Sequence, residues 1–114
     1  MLLILQSILD DNGTINPRNF AFRLSEWCRI GFPELDNKLP QGIGLTVGST
    51  CSHKDFLSDP LRASYDIWNS KERNLAANGA LMRTGIVGAP YFWDEKKVVE
   101  NCMMVAKVTH ADPR

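Results

Sequence analysis

The chain has 114 residues, a length that limits it to one domain. Thirteen basic residues balance thirteen acidic residues, and this neutral charge argues against a nucleic-acid partner, which usually requires a basic excess. The apolar share of 44% is ordinary for a globular chain, and no run of residues reaches the roughly 18 apolar residues of a transmembrane helix. We therefore expect neither nucleic acid nor a membrane as a partner.

The cysteine pattern favours a reducing compartment. Cys28, Cys51 and Cys102 are far apart and odd in number, so they predict neither a metal-binding pair nor a disulfide framework. The apolar start, Met1–Leu5, lacks the basic flank of a signal peptide, and acidic residues follow it closely. The sequence predicts a cytoplasmic protein, with the nucleus as the alternative.

The first part of the chain predicts two helices. Residues 2–9 are apolar nearly all round, which is typical of a helix buried on most sides. Asn16 and Pro17 are typical of a helix start, and Gly31 is typical of a helix end. Between them the apolar residues recur at helical spacing: Phe20, Ala21, Leu24, Trp27 and Cys28.

The middle of the chain predicts a turn and two further helices. Residues 42–51 contain a glycine-rich turn followed by a short helix. Asp59 and Pro60 begin a helix that runs to about Ser70. The apolar positions expected on the buried side of this helix are Leu61, Tyr65 and Trp68.

The last part of the chain predicts a short helix and a longer one. Asn78 begins the short helix, which ends near Val87 because Gly88 and Pro90 follow. Asp94 caps the final helix, whose apolar positions are Val98, Val99, Cys102, Val105 and Ala106. No segment sustains the period-two alternation of a strand, so the predicted fold class is all-α, a bundle-like set of about six helices.

The glycine turn at Gly42 and Gly44 is the first candidate binding site. Glycine lets backbone N–H groups approach an anion closely, and a helix start beyond the turn can hold a diphosphate. A plain turn between helices is the alternative, because two glycines alone are a weak signal.

Asn78 and Gly79 form the second candidate site. Their backbone amides and the Asn78 amide would lie beside a ribose or a phosphate, whereas the alternative function of Asn78 is to cap a helix. Arg83 follows one helical turn later. It would meet a ligand in one interpretation, but we expect it to be solvated or structural.

His110 is the third candidate, one of only two histidines in the chain. It would contact a nucleotide, or it would lie at the end of a helix and gain from the helix dipole. Asp10 and Asp11 are expected to form a solvated turn, and no common zinc, P-loop or serine-hydrolase motif is present.

Three motifs together resemble the ADP-ribosylglycohydrolase family, which includes ADP-ribosyl-protein hydrolases and certain crystallins. They are GIGLTVG at 42–48, NLAANGALMRT at 74–84 and VTHADP at 108–113. The resemblance implies an all-α fold that binds ADP-ribose. It implies that Gly42 and Gly44 meet the diphosphate, that Asn78 and Gly79 lie on the ribose side, and that His110 contacts the nucleotide. Ala76 and Ala77 stand where some relatives have Tyr-Gly.

The resemblance also implies a magnesium-dependent hydrolase, which cleaves the bond between ADP-ribose and its acceptor. Family members hold two Mg²⁺ ions with a TDD-type motif before the helix that begins here at Met1 and a DxDT-type motif after the third motif, and neither occurs in this sequence. We therefore expect residues 1–114 to be an incomplete domain, the middle part of the family domain, inactive by itself. The alternatives are a non-catalytic ADP-ribose-binding module, which a complementing chain completes, or a helical protein-interaction module unrelated to ADP-ribose.

Overall fold

A computed structural model describes all of residues 1–114. Its regular secondary structure consists of helices joined by turns and loops, with no strand. The five α-helices are α1 Leu2–Asp10, α2 Pro17–Ile30, α3 Leu45–Cys51, α4 Pro60–Ser70 and α5 Glu95–Lys107. Two 3-10 helices complete the fold: a short one, Pro33–Leu35, and a long one, Leu81–Tyr91. The predicted all-α class is confirmed. No helix is long and apolar enough to cross a membrane.

Three helix starts follow the capping residues read from the sequence. Asn16 accepts hydrogen bonds from the backbone N–H groups of Arg18 and Asn19 at the start of α2. Asp59 and Asp94 each accept one such bond at the starts of α4 and α5. A side-chain oxygen at this position satisfies a backbone donor that the helix leaves free, and this stabilises the start.

The core lies where the helices pack in pairs. α5 packs against the long 3-10 helix, α1 against α2, and α3 against α4. A single apolar cluster joins these pairs, with Ile4, Ile8, Phe20, Ala21, Leu24, Phe56, Ala63, Val87, Val105 and Val108 buried in it.

Two of the predicted buried faces are wrong. α1 buries only the face of Ile4, Ser7 and Ile8 and leaves Leu2 and Leu9 exposed, so it is not buried on most sides. α4 buries Pro60, Ala63 and Ser64 instead of the predicted apolar stripe, of which Leu61 and Tyr65 are exposed. In α4 the small residues allow the closest approach to the core, and packing therefore overrides hydrophobicity.

The predicted short helix after Asn78 also differs. Residues 78–80 form a turn in which the Asn78 side chain makes no capping bond, and the 3-10 helix that follows continues through Gly88 and Pro90 to Tyr91. Proline removes a backbone donor, but the hydrogen bonds of a 3-10 helix have poorer geometry than those of an α-helix, so the loss of one bond costs less there. Val99, one of the apolar positions at helical spacing on α5, is exposed.

Candidate functional site

Gly42 and Gly44 lie on the exposed connection before α3. Gly44 is the N-cap of that helix, and its carbonyl accepts the Gly48 N–H at 2.9 Å. No atom lies within 4 Å of the position where a Cβ would be at either glycine. The backbone on this side of α3 is therefore open to an incoming ligand.

Gly42, Gly44 and Gly79 line one pocket, which we call the glycine pocket. Its volume is about 530 Å³, and ten of its fourteen lining residues are hydrophobic, among them Leu3, Phe20, Leu24 and Trp27. Arg83 is its only charged side chain. The packing thus brings two glycine motifs together that are more than thirty residues apart in the sequence.

Asn78 and His110 line a second pocket of about 420 Å³, which we call the histidine pocket. Asp112 and Arg114 also line it, and each is bound to the other. The bond from Arg114 holds the pKa of the Asp112 carboxyl well below its usual range, with a further hydrogen bond from Trp68 Nε1 at 2.9 Å. The oxygens of this carboxylate therefore already have hydrogen-bond partners within the chain, namely Arg114 and Trp68.

Gly79 and His110 connect the two pockets. A Cβ built on Gly79 would lie 3.3 Å from His110 Nε2, which is tighter than most such contacts. The small residue at position 79 therefore lets the backbone lie directly against the imidazole ring. The five predicted site residues are thus divided between two pockets, with the contact between Gly79 and His110 lying between them.

His110 is buried just beyond the end of α5. Its Nδ1 lies 2.7 Å from Thr109 Oγ1, and Arg83 Nη2 donates to the same Thr109 oxygen at 2.7 Å. Because the Thr109 hydroxyl accepts from arginine, we assign its proton to the bond with Nδ1, and this assignment puts the ring proton on Nε2. That Nε2 is buried and has no partner in the chain. The ring thus offers a free N–H donor beside the Gly79 backbone.

Arg83 and Thr109 are the residues that sequence reasoning underrated. Arg83 is structural, as one of the two interpretations held, because it joins the long 3-10 helix to Val105 O and Thr109 Oγ1 near the end of α5. Thr109 is buried, and its carbonyl accepts from Thr50 Oγ1 of α3 at 3.3 Å. Their positions beside Met82 and His110 in the motifs were the available signals.

The side chains of this chain do not by themselves fit a magnesium ion. Mg²⁺ requires several oxygen ligands in octahedral geometry. No three Asp, Glu, His or Cys side chains lie together. Asp10 is paired with Arg23, and Asp11 accepts from Asn16 and Asn19. These residues therefore support no metal-dependent reaction step by themselves.

The chain is an all-α fold with two ligand-sized pockets, one lined by Gly79 and the other by His110. The chain belongs to the ADP-ribosylglycohydrolase family, because the sequence model of that family matches residues 1–114, the whole chain. The chain has no match among curated proteins and none among solved structures.

The burial of His110 predicts that the chain loses stability in mild acid. Burial, with a smaller effect from the Arg83 charge, lowers the pKa of His110 to about 4, whereas an unfolded histidine titrates near about 6.5. As the pH falls through this window the unfolded chain binds a proton that the folded chain does not, so the free energy of unfolding decreases. Urea denaturation at pH 7 and pH 5 measures the decrease.

The control for this pH effect is His110→Gln, which cannot take up the proton. Its stability should change less between pH 7 and pH 5 than that of the unsubstituted chain. An equal change in both chains would contradict the assigned burial of the imidazole.

Proposed function

We propose that the chain binds ADP-ribose, or the ADP-ribose group of a modified substrate, at the surface formed by Gly42, Gly44, Asn78, Gly79 and His110. Membership of the ADP-ribosylglycohydrolase family supports this ligand. In this proposal the parent activity is hydrolysis of the glycosidic bond between ADP-ribose and an acceptor. The protein acts in the cytoplasm or the nucleus, without a nucleic-acid or membrane partner.

The contact between Gly79 and His110 is the observation that carries the proposal. The unpartnered His110 Nε2 and the bare Gly79 backbone lie side by side where the two pockets meet. An elongated ligand with a diphosphate at its middle can lie across such a junction, with one end in each pocket. Its phosphate oxygens would accept from Nε2–H and from backbone N–H groups that no side chain shields.

Catalysis is assigned to a larger assembly than residues 1–114. Mg²⁺ would orient the ribose and activate water in the parent enzyme, and we place its acidic ligands in segments outside this chain, which would then be the middle part of the family domain. We expect the isolated chain to release no ADP-ribose from a modified protein, with or without Mg²⁺. A magnesium-dependent release by the 114-residue chain would overturn this assignment.

A non-catalytic module is the second candidate function. Large apolar side chains remain exposed, and those above 60% exposure are Met1, Leu2, Leu9, Leu35, Leu45, Leu81, Met82, Phe92 and Trp93. Exposed apolar side chains that form a contiguous patch are typical of an interface. In this variant a complementing chain covers the exposed residues, and the pair holds ADP-ribose or serves only in protein interaction.

Gly44→Glu is the substitution that tests the binding surface. Gly44 has open space around it and a negative φ, so glutamate fits the backbone while adding a negative charge beside the proposed diphosphate. We expect the dissociation constant for ADP-ribose to rise by about tenfold or more, since like charges in a confined site repel. Isothermal titration calorimetry measures the change.

Gly85→Glu is the matched control, because Gly85 is also exposed with open space but lines neither pocket. Its affinity for ADP-ribose should equal that of the unsubstituted chain. If the two glutamate variants bind equally well, the glycine turn is not part of the site.

A further inference from the structure

Arg83 is a largely buried cation without an anion. Its Nη2 donates to Thr109 Oγ1 at 2.7 Å and to Val105 O at 3.2 Å, both neutral acceptors. Nε is buried without a partner. None of the four ion pairs of the chain includes Arg83.

The surroundings of Arg83 leave its charge only partly compensated. The guanidinium lies 5.2 Å from the centre of the Phe20 ring, a contact that stabilises a cation weakly. Burial raises the pKa of the neighbouring Cys51 thiol to about 12, so it carries no charge at neutral pH. The Arg83 charge also acts on the Met1 amino group and on His110, and neither of these is an anion. Burial lowers the pKa of Arg83 to about 10, which still leaves the guanidinium charged.

The glycine pocket opens onto this cation. Its volume of about 530 Å³ falls within the range of about 300–1,000 Å³ that is usual for small-molecule sites. Phe20, Leu24 and Trp27 of α2 supply much of its wall, and Arg83 is the one charged side chain among its lining residues. The other charged group is the α-amino group of Met1, whose pKa is lowered by burial and by the Arg83 charge. An apolar wall with cationic groups and no anion favours a ligand that has an apolar body and a negatively charged head.

We propose that the glycine pocket binds an amphipathic organic monoanion, a carboxylate or sulfonate on an aromatic or aliphatic body, with its head against Arg83. A negatively charged head matches the Arg83 guanidinium, which has no anion within the chain. The guanidinium retains Nε and Nη1, which donate no hydrogen bond within the chain. This ligand class is chemically distinct from ADP-ribose, and the site does not depend on the proposed function.

The test compares two fluorescent probes that differ in charge. One is 8-anilinonaphthalene-1-sulfonate, and the other is N-phenyl-1-naphthylamine, which has the same rings without the sulfonate. We expect the unsubstituted chain to bind the sulfonate about tenfold more tightly than the amine, because a hydrogen-bonded charge pair forms only with the sulfonate. Equal affinity for both probes would overturn the proposal, since it would show apolar binding alone.

Variants at the pocket rim assign the site without disturbing the bonds of Arg83. Met82 lines the glycine pocket and is 73% exposed, whereas its neighbour Leu81 lines the histidine pocket and is 77% exposed. Met82→Glu should remove the preference for the sulfonate by placing a competing carboxylate beside Arg83. Leu81→Glu should retain it. If both variants keep the preference, the probe binds elsewhere and the proposal fails.

Two further measurements separate this proposal from its competitors. Arg83→Met should lower the affinity for the sulfonate about tenfold and leave that for the amine unchanged, and circular dichroism confirms that the variant is folded. Sedimentation velocity establishes whether the free chain is a monomer, and a dimer that excludes the sulfonate would overturn the proposal in favour of a second copy. Titration with ADP-ribose is made in parallel, so a failure here leaves the proposed function untouched.

Discussion

Replacing Gly31 with alanine should lower the free energy of unfolding by about 3 kcal/mol. Gly31 ends α2 with φ +75° and ψ −159°, a conformation that residues with a side chain rarely adopt. The new methyl group would also meet the backbone carbonyl of Lys38, whose carbon lies 2.7 Å from the Cβ position. The chain closes tightly here through the Phe32–Lys38 bridge, so this backbone cannot move away cheaply. Urea denaturation measures the loss.

Gly13→Ala is the control that isolates the steric part of this effect. Gly13 also has a positive φ, +88°, but nothing lies within 4 Å of its Cβ position. Only the conformational cost applies, about 1 kcal/mol. Equal losses of stability in the two variants would contradict the close approach of the Lys38 backbone to Gly31.

Replacing Phe56 with alanine should have the larger effect, a loss of about 4 kcal/mol. Phe56 lies in the connection between α3 and α4, yet it is only 1% exposed and belongs to the cluster that includes Val87 and Val108. Removing the ring leaves a cavity in this cluster. Since domains of this size are stable by roughly 5–15 kcal/mol, a loss of this size should lower the urea midpoint of unfolding markedly, and urea denaturation measures the shift.

The adjacent Leu57→Ala provides the comparison for Phe56→Ala. Leu57 is 54% exposed in the same connection, and its truncation should change the stability by no more than about 0.5 kcal/mol. Similar losses in both variants would place Phe56 outside the core.

Local signals account for the parts of the fold that the sequence predicted well. The starts at Asn16, Asp59 and Asp94 depend on a side chain and a backbone N–H only two or three residues away, so neighbouring residues suffice to specify them. The end of α2 at Gly31 is local in the same sense. These features need no knowledge of tertiary packing.

The errors occur where distant segments decide the outcome. The buried side of α4 is set by how closely Ala63 and Ser64 approach the core, and hydrophobicity alone does not encode that distance. The 3-10 helix that passes through Pro90 packs against α5, and this contact holds a segment that local propensity would interrupt.

The candidate site combines both kinds of information. The motifs named Gly42, Gly44, Asn78, Gly79 and His110, and family membership now covers the whole chain. Their division into two pockets that meet at Gly79 required the structure, because the glycine turn and the turn at Asn78 come together only through packing. His110 contacts Thr109 through Nδ1 and has no hydrogen-bond partner at Nε2, and no spacing rule reveals either feature.

The most direct test of the account is a titration of the isotopically labelled chain with ADP-ribose, followed by two-dimensional NMR of the backbone amides. We expect the amide signals of Gly42, Gly44, Asn78, Gly79 and His110 to shift together and saturate with one dissociation constant. Exposed amides away from both pockets, such as that of Gly85, should not move. Absence of any shift at millimolar ADP-ribose, or shifts confined to residues outside the two pockets, would contradict the proposed site.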